Sequence, residues 1–403
     1  MFKIKLINED GTSTAITHDK VVTKTQNPKV IIPKSHNKLE LAVEILSIMD
    51  SGDTPLLFDS SMKQVSANAV NMKSSIDNGA IELPSDTKAI FFTSGTSGNP
   101  TGVIKSDLNI SIEVKTHQKW LKEYSFEQCL TTVPFVHIYG FLFGISIPHS
   151  MGLEVVCKQD FLPHEILEIS AQKPTLCITN PLFIRSMLRI NANADLSNSL
   201  FISSSGPLES SEAASFEAKF NTTLVQLYGS SETGGIAIRR GDTVEWSLLD
   251  GVDISCDNDG IMGVSSPFVS SYTYNDKLHN IVQPFNTTDI IELCNGGFRV
   301  IGRASEIVKI GGKRLSIIEM ERFVESFDDI DEALFSISYT PSSLRGEKLS
   351  LSLVANEQKV DKAKLKKDIH DHFGGVHIES KIYFVDQIPK TSLGKKIREN
   401  ISL

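Results

Sequence analysis

Ala89-Ile90-Phe91-Phe92-Thr93-Ser94-Gly95-Thr96-Ser97-Gly98-Asn99-Pro100-Thr101-Gly102 is the stretch from which the architecture follows. Four apolar residues in a row, ended by glycines and hydroxyl side chains, predict a buried strand opening into an exposed connection. Working outward, short apolar runs predict strands at 130–133, 153–157, 175–179, 200–203 and 223–227. Helical patterns separate them at 107–124, 163–171, 181–190 and 209–220. Strands alternating with helices of this length imply βαβ units and a mainly parallel sheet. Upstream, 39–49 reads as a short amphipathic helix and 55–58 as a strand, followed by Ser- and Asn-rich turns.

After Gly229 the pattern changes. Ile290-Ile291-Glu292-Leu293 and Phe298-Arg299-Val300-Ile301 flank Cys294-Asn295-Gly296-Gly297, a hairpin signal because Asn-Gly tolerates positive φ. Gly302-Arg303-Ala304-Ser305 reads as a junction, and the residues beyond it suffice for a small α+β domain. The expected fold is therefore α/β: a large N-terminal domain over 1–301, built of βαβ units with mixed and parallel sheets. A small mobile α+β C-terminal domain over 302–403 completes it.

A chain of 403 residues with 40% apolar and 22% charged residues is of ordinary globular composition and too long for a single core. The net charge of −9, without a long basic run, disfavours nucleic acid and acidic membrane surfaces as partners. No apolar run approaches the roughly 18–20 residues of a membrane helix. The start, Met1-Phe2-Lys3-Ile4-Lys5-Leu6, lacks the order of a signal peptide. Five scattered cysteines (Cys129, Cys157, Cys177, Cys256, Cys294), with no C-x-x-C pair, speak against zinc or a disulfide framework. A cytoplasmic location fits these features.

The loop Thr93–Gly102 carries three glycines and five hydroxyl residues. Glycine lets backbone approach a ligand, and hydroxyls with exposed N–H groups suit phosphate oxygens. No Gly-Lys-Ser/Thr closes it, which argues against an unrelated P-loop phosphotransferase. By itself the loop is either a phosphate cradle or a flexible surface turn.

Four further segments follow in order: Pro134-Phe135-Val136-His137-Ile138-Tyr139-Gly140; Tyr228-Gly229-Ser230-Ser231-Glu232-Thr233-Gly234; Thr287-Thr288-Asp289; and Gly302-Arg303. The chain finishes with Pro389-Lys390-Thr391-Ser392-Leu393-Gly394-Lys395. In this order the set resembles the core motifs of the adenylate-forming superfamily, which includes acyl- and aryl-CoA synthetases, luciferases and peptide-synthetase adenylation domains. The resemblance runs from about Ala89 to Arg398.

That resemblance implies ATP-dependent activation of a carboxylic acid to an acyl-adenylate, then transfer to a thiol. Two anions must meet, so the site needs cations and fixed donors. By resemblance, the loop containing Thr93, Ser94, Gly95, Thr96, Ser97 and Gly98 holds the β- and γ-phosphates. Glu232 binds Mg²⁺, and Thr233 sits on the α-phosphate. Asp289 accepts hydrogen bonds from the ribose hydroxyls, and Arg303 sits near ribose and phosphate. Ser205, Gly206, Tyr228 and Gly229 belong to the adenine platform, with the Tyr228 ring stacking on the base. His137 lies at the acyl pocket, and Asn180 is a weaker candidate there. Lys395 is the mobile cation that neutralises charge as the carboxylate attacks; Lys396 beside it reads as a solvated lysine. Lys309, Gly311 and Gly312 match the lining of a pantetheine tunnel.

Three departures stand out. Thr101 replaces the lysine that many members carry in the phosphate loop, with Lys105 nearby. Ser305 stands at the hinge position and Thr288 at the usual glycine of Thr-Gly-Asp. The loop also starts nearer the N-terminus than in typical members, so a compact variant is expected, with either a reduced architecture or compensation by a partner or a homodimer contact. A stable monomer in sedimentation would count against the homodimer.

No carboxylate lies in Phe135-Val136-His137 to hold an α-amine, so the acid is expected to be aryl or fatty rather than an α-amino acid. The acceptor is CoA or an acyl carrier protein. A non-catalytic nucleotide-binding relative, acting as sensor or scaffold, is the alternative; the retained Lys395 argues against it. Ser392-Leu393-Gly394-Lys395 spells a serine β-lactamase nucleophile motif without its companion motifs and is coincidence. His370, Asp371, His372 and His377 read as a solvated helix end rather than a metal site.

Overall fold

The computed structural model describes residues 2–19, 28–93, 100–303, 307–310, 313–339, 347–373, 382–390 and 396. The chain divides into two compact units. One comprises 1–255, 263–286 and 294–298; the other comprises 256–262, 287–293 and 299–403.

In the first unit the strands lie in the order Trp246–Leu248, Gly234–Arg240, Thr223–Ser230, Leu200–Ser203, Thr175–Thr179, Gln128–Thr131, Glu154–Cys157, Phe2–Ile7 and Ser13–His18. From Thr223–Ser230 to Phe2–Ile7 every neighbouring pair is parallel. Antiparallel partners flank that run on both sides. The strands predicted within this run are all present, as are the helices Pro163–Gln172, Pro181–Arg189 and Ser210–Phe220. Parallel strands need crossovers, and these helices supply them.

Register explains the core. Leu130 pairs with Cys177, Cys177 with Phe201, and Phe201 with Leu224, so one row of side chains crosses four strands on the same face. Ile166, Leu167, Ile184, Met187, Phe216 and Phe220 from the three helices pack onto it. Each apolar side chain removed from water in this way contributes about 2 kcal/mol before entropy is counted.

A six-stranded sheet completes this unit: Lys277–Asn280, Tyr272–Asn275, Thr101–Ser106, Thr87–Thr93, Thr54–Leu57 and Val30–Ile31. Thr101–Ser106 is a strand, antiparallel to Thr87–Thr93 with Thr93 opposite Thr101, and the expected helix follows it as Asp107–Leu121. One expectation needs correcting. The Ser- and Asn-rich stretch read as turns is the helix Lys63–Asp77. Its Val65, Ala69 and Met72 share a face at helical spacing and bury against Ile90, Phe92 and Ile104. Packing outweighs the turn preference of Ser and Asn at the exposed positions. A hairpin of Phe2–Ile7 and Ser13–His18 is also present.

In the second unit a sheet of Ile330–Tyr339, Glu347–Ala355 and Ile382–Phe384 is covered by the helices Ile317–Glu325 and Lys362–His372. Ile317, Met320, Val324, Phe335, Leu351, Leu353, Leu365 and Ile369 form its core. The expected hairpin is Phe285–Cys294 followed by Gly297–Arg303, with Gly296 at φ +90° in the turn. No helix among the described residues is long and apolar enough to cross a membrane. The five cysteines are free.

Candidate active site

Ligands in parallel α/β sheets bind beyond the carboxyl ends of the strands, because the chain leaves the sheet there in loops that can converge on a ligand. Four loops emerge from neighbouring parallel strands at that edge of the first unit, and they carry several of the expected site residues.

Leu200–Ser203 leads into Ser204-Ser205-Gly206-Pro207. Ser204 Oγ donates to Leu227 O at 2.9 Å, tying this loop to the adjacent strand. Ser205 adopts φ +71°, a left-handed backbone that ordinarily favours glycine. Holding it there stores about 1–2 kcal/mol. Ser205→Gly is therefore expected to raise unfolding stability by about 1 kcal/mol, after the greater entropy of unfolded glycine is set against the relief. Urea unfolding checks this, and a loss of stability would contradict it.

The next strand carries Tyr228, half-buried, its ring centroid 5.1 Å from that of Trp246 and 5.5 Å from that of Phe298. The Arg239 guanidinium lies 4.4 Å over Trp246, so the stack is aromatic on one side and capped by a cation. Gly229 follows Tyr228, and a Cβ placed on it would lie 2.2 Å from Gly234 O, so only glycine allows the turn to close.

In that turn Glu232 is half-buried, while Thr233 is fully buried. Thr233 Oγ1 accepts from Ser230 N at 3.0 Å and donates to Gly234 O at 2.9 Å, which spends the hydroxyl on the shape of the turn. Sequence reasoning missed what lies beneath. Lys105 is fully buried, and its Nζ donates to Phe268 O at 2.7 Å and to Glu232 O at 3.3 Å. Burial pushes this ammonium down to about 8, against the opposing pull of the Glu113 and Glu232 carboxylates. Glu113 Oε1 accepts from Gly235 N at 2.6 Å, and Asn109 Nδ2 donates to Pro267 O and Val269 O at 2.7 and 3.1 Å. The available signal was a basic residue inside an apolar strand run, followed by Glu113 and His117 one turn apart on the next helix.

His137 stands at the N-cap position of the short helix Ile138–Phe141. Its Nε2 is buried with no hydrogen-bond partner among the described residues. Burial lowers its pKa, with the Asp59 carboxylate opposing, so the ring stays neutral near pH 7. Two residues on, Tyr139 turns inward and its hydroxyl donates to Ile202 O and Thr179 O at 2.7 and 3.0 Å, pinning two strand ends. Asn180 caps the helix Pro181–Arg189, its Oδ1 accepting from Phe183 N at 3.2 Å.

Thr93 ends its strand; Ser94, Gly95, Thr96, Ser97 and Gly98 lie outside the described residues, as do Gly311, Gly312 and Lys395. Lys309 falls in the strand Ile307–Ile310. Within the second unit Arg303 Nε donates to Asp289 Oδ1 at 3.0 Å, and Asp289 N donates to Thr287 Oγ1 at 3.1 Å.

Lys396 is not the solvated lysine expected from sequence. Its Nζ donates to Glu325 Oε1 at 2.5 Å and Ala333 O at 2.7 Å, with Glu321 Oε2 at 3.7 Å, and its backbone bridges to Lys390. Lys396→Met removes the ammonium that pairs with the partly buried Glu325 and lies 3.7 Å from the buried Glu321. It is expected to destabilise the second unit by about 2–3 kcal/mol, readable in urea unfolding followed by hydrogen exchange of 330–339. An unchanged exchange pattern would contradict this. His372 is exposed and stacks on Phe323 at 4.0 Å, at the solvated helix end expected from the sequence. Among the described residues no group of three or more His, Cys, Asp or Glu side chains could hold a metal ion by itself.

The model of the AMP-binding enzyme family matches residues 5–266. A long-chain-fatty-acid–CoA ligase of Bacillus subtilis is 23% identical over 361 residues, covering 80% of this chain and 62% of its own length. A 2-succinylbenzoate–CoA ligase of Listeria monocytogenes is 23% identical over 334 residues, covering 78% of this chain and 70% of its own length. The chain thus spans roughly two thirds of the length of these relatives. Among solved structures, ATP-bound MatB from Rhodopseudomonas palustris superposes with a TM-score of 0.75 at 17% identity, covering 97% of this chain and 93% of that one. The o-succinylbenzoate CoA synthetase of Bacillus subtilis, in complex with its acyl-adenylate intermediate, gives a TM-score of 0.73 at 18% identity, covering 94% and 89%. The fold is that of these adenylate-forming enzymes, and the chain belongs to the AMP-binding enzyme family.

Proposed function

We propose that this protein is an AMP-forming acid–thiol ligase. It activates an aryl or fatty acid with ATP and passes the acyl group to the pantetheine thiol of CoA or of an acyl carrier protein. The observation carrying this reading is the Gly229–Gly235 turn, which presents Glu232 beside the Tyr228 stack at the carboxyl edge of the parallel strands. Family membership and the CoA ligases among its relatives support it.

In the first step a carboxylate oxygen attacks the α-phosphorus, the bond from that phosphorus to the bridging oxygen breaks, and pyrophosphate leaves. In the second, a thiolate attacks the acyl carbon and AMP departs. Tyr228 offers a flat apolar face for adenine, with Ser205, Gly206 and Gly229 letting backbone approach the base. Asp289, as an acceptor, suits the ribose hydroxyls, and Arg303, whose Nε donates to it, would lie near ribose and phosphate. Residues 93–98 would hold the β- and γ-phosphates, with Thr233 keeping the neighbouring turn in shape.

A lone carboxylate suits Mg²⁺, which arrives largely hydrated and bound to phosphates and needs only one or two protein oxygens. Glu232 would supply that oxygen, and the cation would neutralise phosphate charge. Neutral His137 fits an acid pocket that admits an apolar chain. Lys395, on a proposed mobile domain over 302–403, would bring positive charge to the reacting oxygens. After the chemistry that domain would turn to present the Lys309–Gly312 segment to pantetheine.

The test is acid-dependent exchange of labelled pyrophosphate into ATP across a panel of aryl, fatty and α-amino acids. Exchange with aryl or fatty acids is expected, and exchange confined to α-amino acids would overturn the substrate class.

A further inference from the structure

Burying charge is expensive, and a buried ion pair seldom stabilises more than an apolar pair of the same volume. The arrangement under the Glu232 turn is therefore informative, because its two charged groups are spent on backbone atoms. The Lys105 ammonium donates to the carbonyl oxygens of Glu232 and Phe268, and the Glu113 carboxylate accepts from the N–H of Gly235. Glu232 O accepts a second bond from Ser270 N at 2.9 Å. One fixed cation thus holds the carbonyl of Glu232, and one fixed anion holds the amide three residues later.

The remaining neighbour is neutral. Trp120 Nε1, a donor only, lies 3.2 Å from His117 Nδ1, which must accept and so carries no proton. The ring proton of His117 is then on Nε2, 3.9 Å from Glu113 Oε1. Among the described residues, Lys105 and Glu113 are thus the charged groups bonded to the backbone of the turn, and the Glu232 carboxylate is the further charge acting on Lys105. Space there is tight as well: Gly234, at φ +71°, leaves 2.6 Å between a hypothetical Cβ and Glu113 Oε2. Any shift of Glu113 therefore moves the turn.

We propose that Lys105 and Glu113 are positioning residues for adenylation, holding the 232–235 backbone so that the Glu232 side chain meets the divalent cation accompanying ATP. This rests on the role given to Glu232 above. Neither residue touches substrate; each acts through the turn. Groups that orient a metal-binding carboxylate typically change metal affinity about 10- to 100-fold when removed.

The experiment compares Lys105→Met with the parent at a low temperature where both are folded. Two quantities are read: the Mg²⁺ concentration giving half-maximal acid-dependent exchange, and hydrogen exchange of the 229–236 segment. Lys105→Met should raise the Mg²⁺ requirement about tenfold or more and speed exchange in that segment, with the KM for the acid within about twofold. In a Glu232→Gln background the effect on Mg²⁺ should vanish, because the clamp then has no carboxylate to position. A merely structural role would lower stability equally in both backgrounds and leave the Mg²⁺ requirement unchanged, and that result overturns the proposal. If Lys105→Met does not fold, Glu113→Met carries the same comparison, since it removes the acceptor of the Gly235 N–H bond at similar side-chain length. A parent without acid-dependent exchange would refute the functional reading; slow 229–236 exchange in the variant would refute the clamp separately.

Discussion

Lys395→Ala is expected to lower acid-dependent pyrophosphate release by about a hundred- to a thousandfold while ATP still binds. The estimate is that for removing one fixed donor from a site of developing charge. Attack of a carboxylate on a triphosphate brings two anions together. By the family resemblance Thr101 stands where many members carry a phosphate-loop lysine, one cation fewer in that motif. Lys105 does not replace it, since its ammonium is committed to two backbone carbonyls. The burden on Lys395 is correspondingly greater. Its neighbour Lys396 is held by Glu325 and the Ala333 carbonyl within the second unit. Lys395→Arg, which keeps the charge on a longer and planar head, should recover only part of the rate. Single-turnover measurements of adenylate formation decide the matter; a variant within a few-fold of the parent would remove Lys395 from the chemistry.

Gly229→Ala is expected to combine a fold defect with a loss of rate. The added Cβ would sit 2.2 Å from the Gly234 carbonyl oxygen, a backbone atom that cannot swing aside as a side-chain end can. The two strand ends must separate by about 1 Å, at a cost of about 1–3 kcal/mol. The same movement carries Glu232 off its position, and a 1 Å displacement in a reacting site costs about a hundredfold in rate. Steady-state kinetics at saturating Mg²⁺, alongside thermal unfolding, separate the two effects. Full activity in a folded Gly229→Ala protein would show that the turn is not part of the site.

The turn also illustrates what could be read before any coordinates. Tyr228-Gly229-Ser230-Ser231-Glu232-Thr233-Gly234 announced a site, because glycines and hydroxyls around one carboxylate do not suit a core strand. The pattern did not reveal that Thr233 faces inward or that Gly229 is demanded by a bulge where the strands pair as Gly229–Gly235 and Ser230–Gly234. The parallel strands were legible because each buries both faces and reads as a short apolar run, as in Leu200–Ser203. Lys63–Asp77 was not, since its apolar contacts are few and its exposed positions carry Ser and Asn. Thr101–Ser106 was obscured by its glycine and lysine. Its Lys105 is tolerated in the interior only because distant residues, Glu113, Glu232 and Phe268, surround it. The lysine in an apolar run and the nearby Glu113 are local signs of this, but the carbonyl partners on Glu232 and Phe268, more than a hundred residues away, have no local signature. Lys396 was misjudged for the same reason: its partners Glu325 and Ala333 lie more than sixty residues away in sequence.

The central claim is that this protein joins a carboxylic acid to AMP. The measurement that bears on it most directly is pyrophosphate release with ATP, Mg²⁺ and hydroxylamine over a panel of aryl and fatty acids, with Lys395→Ala in parallel. The account predicts release that depends on one class of acid, yields the matching hydroxamate and is lost in the variant. Release of no pyrophosphate with any acid, from folded protein that binds ATP, would contradict it and leave a nucleotide-binding protein without the ligase reaction.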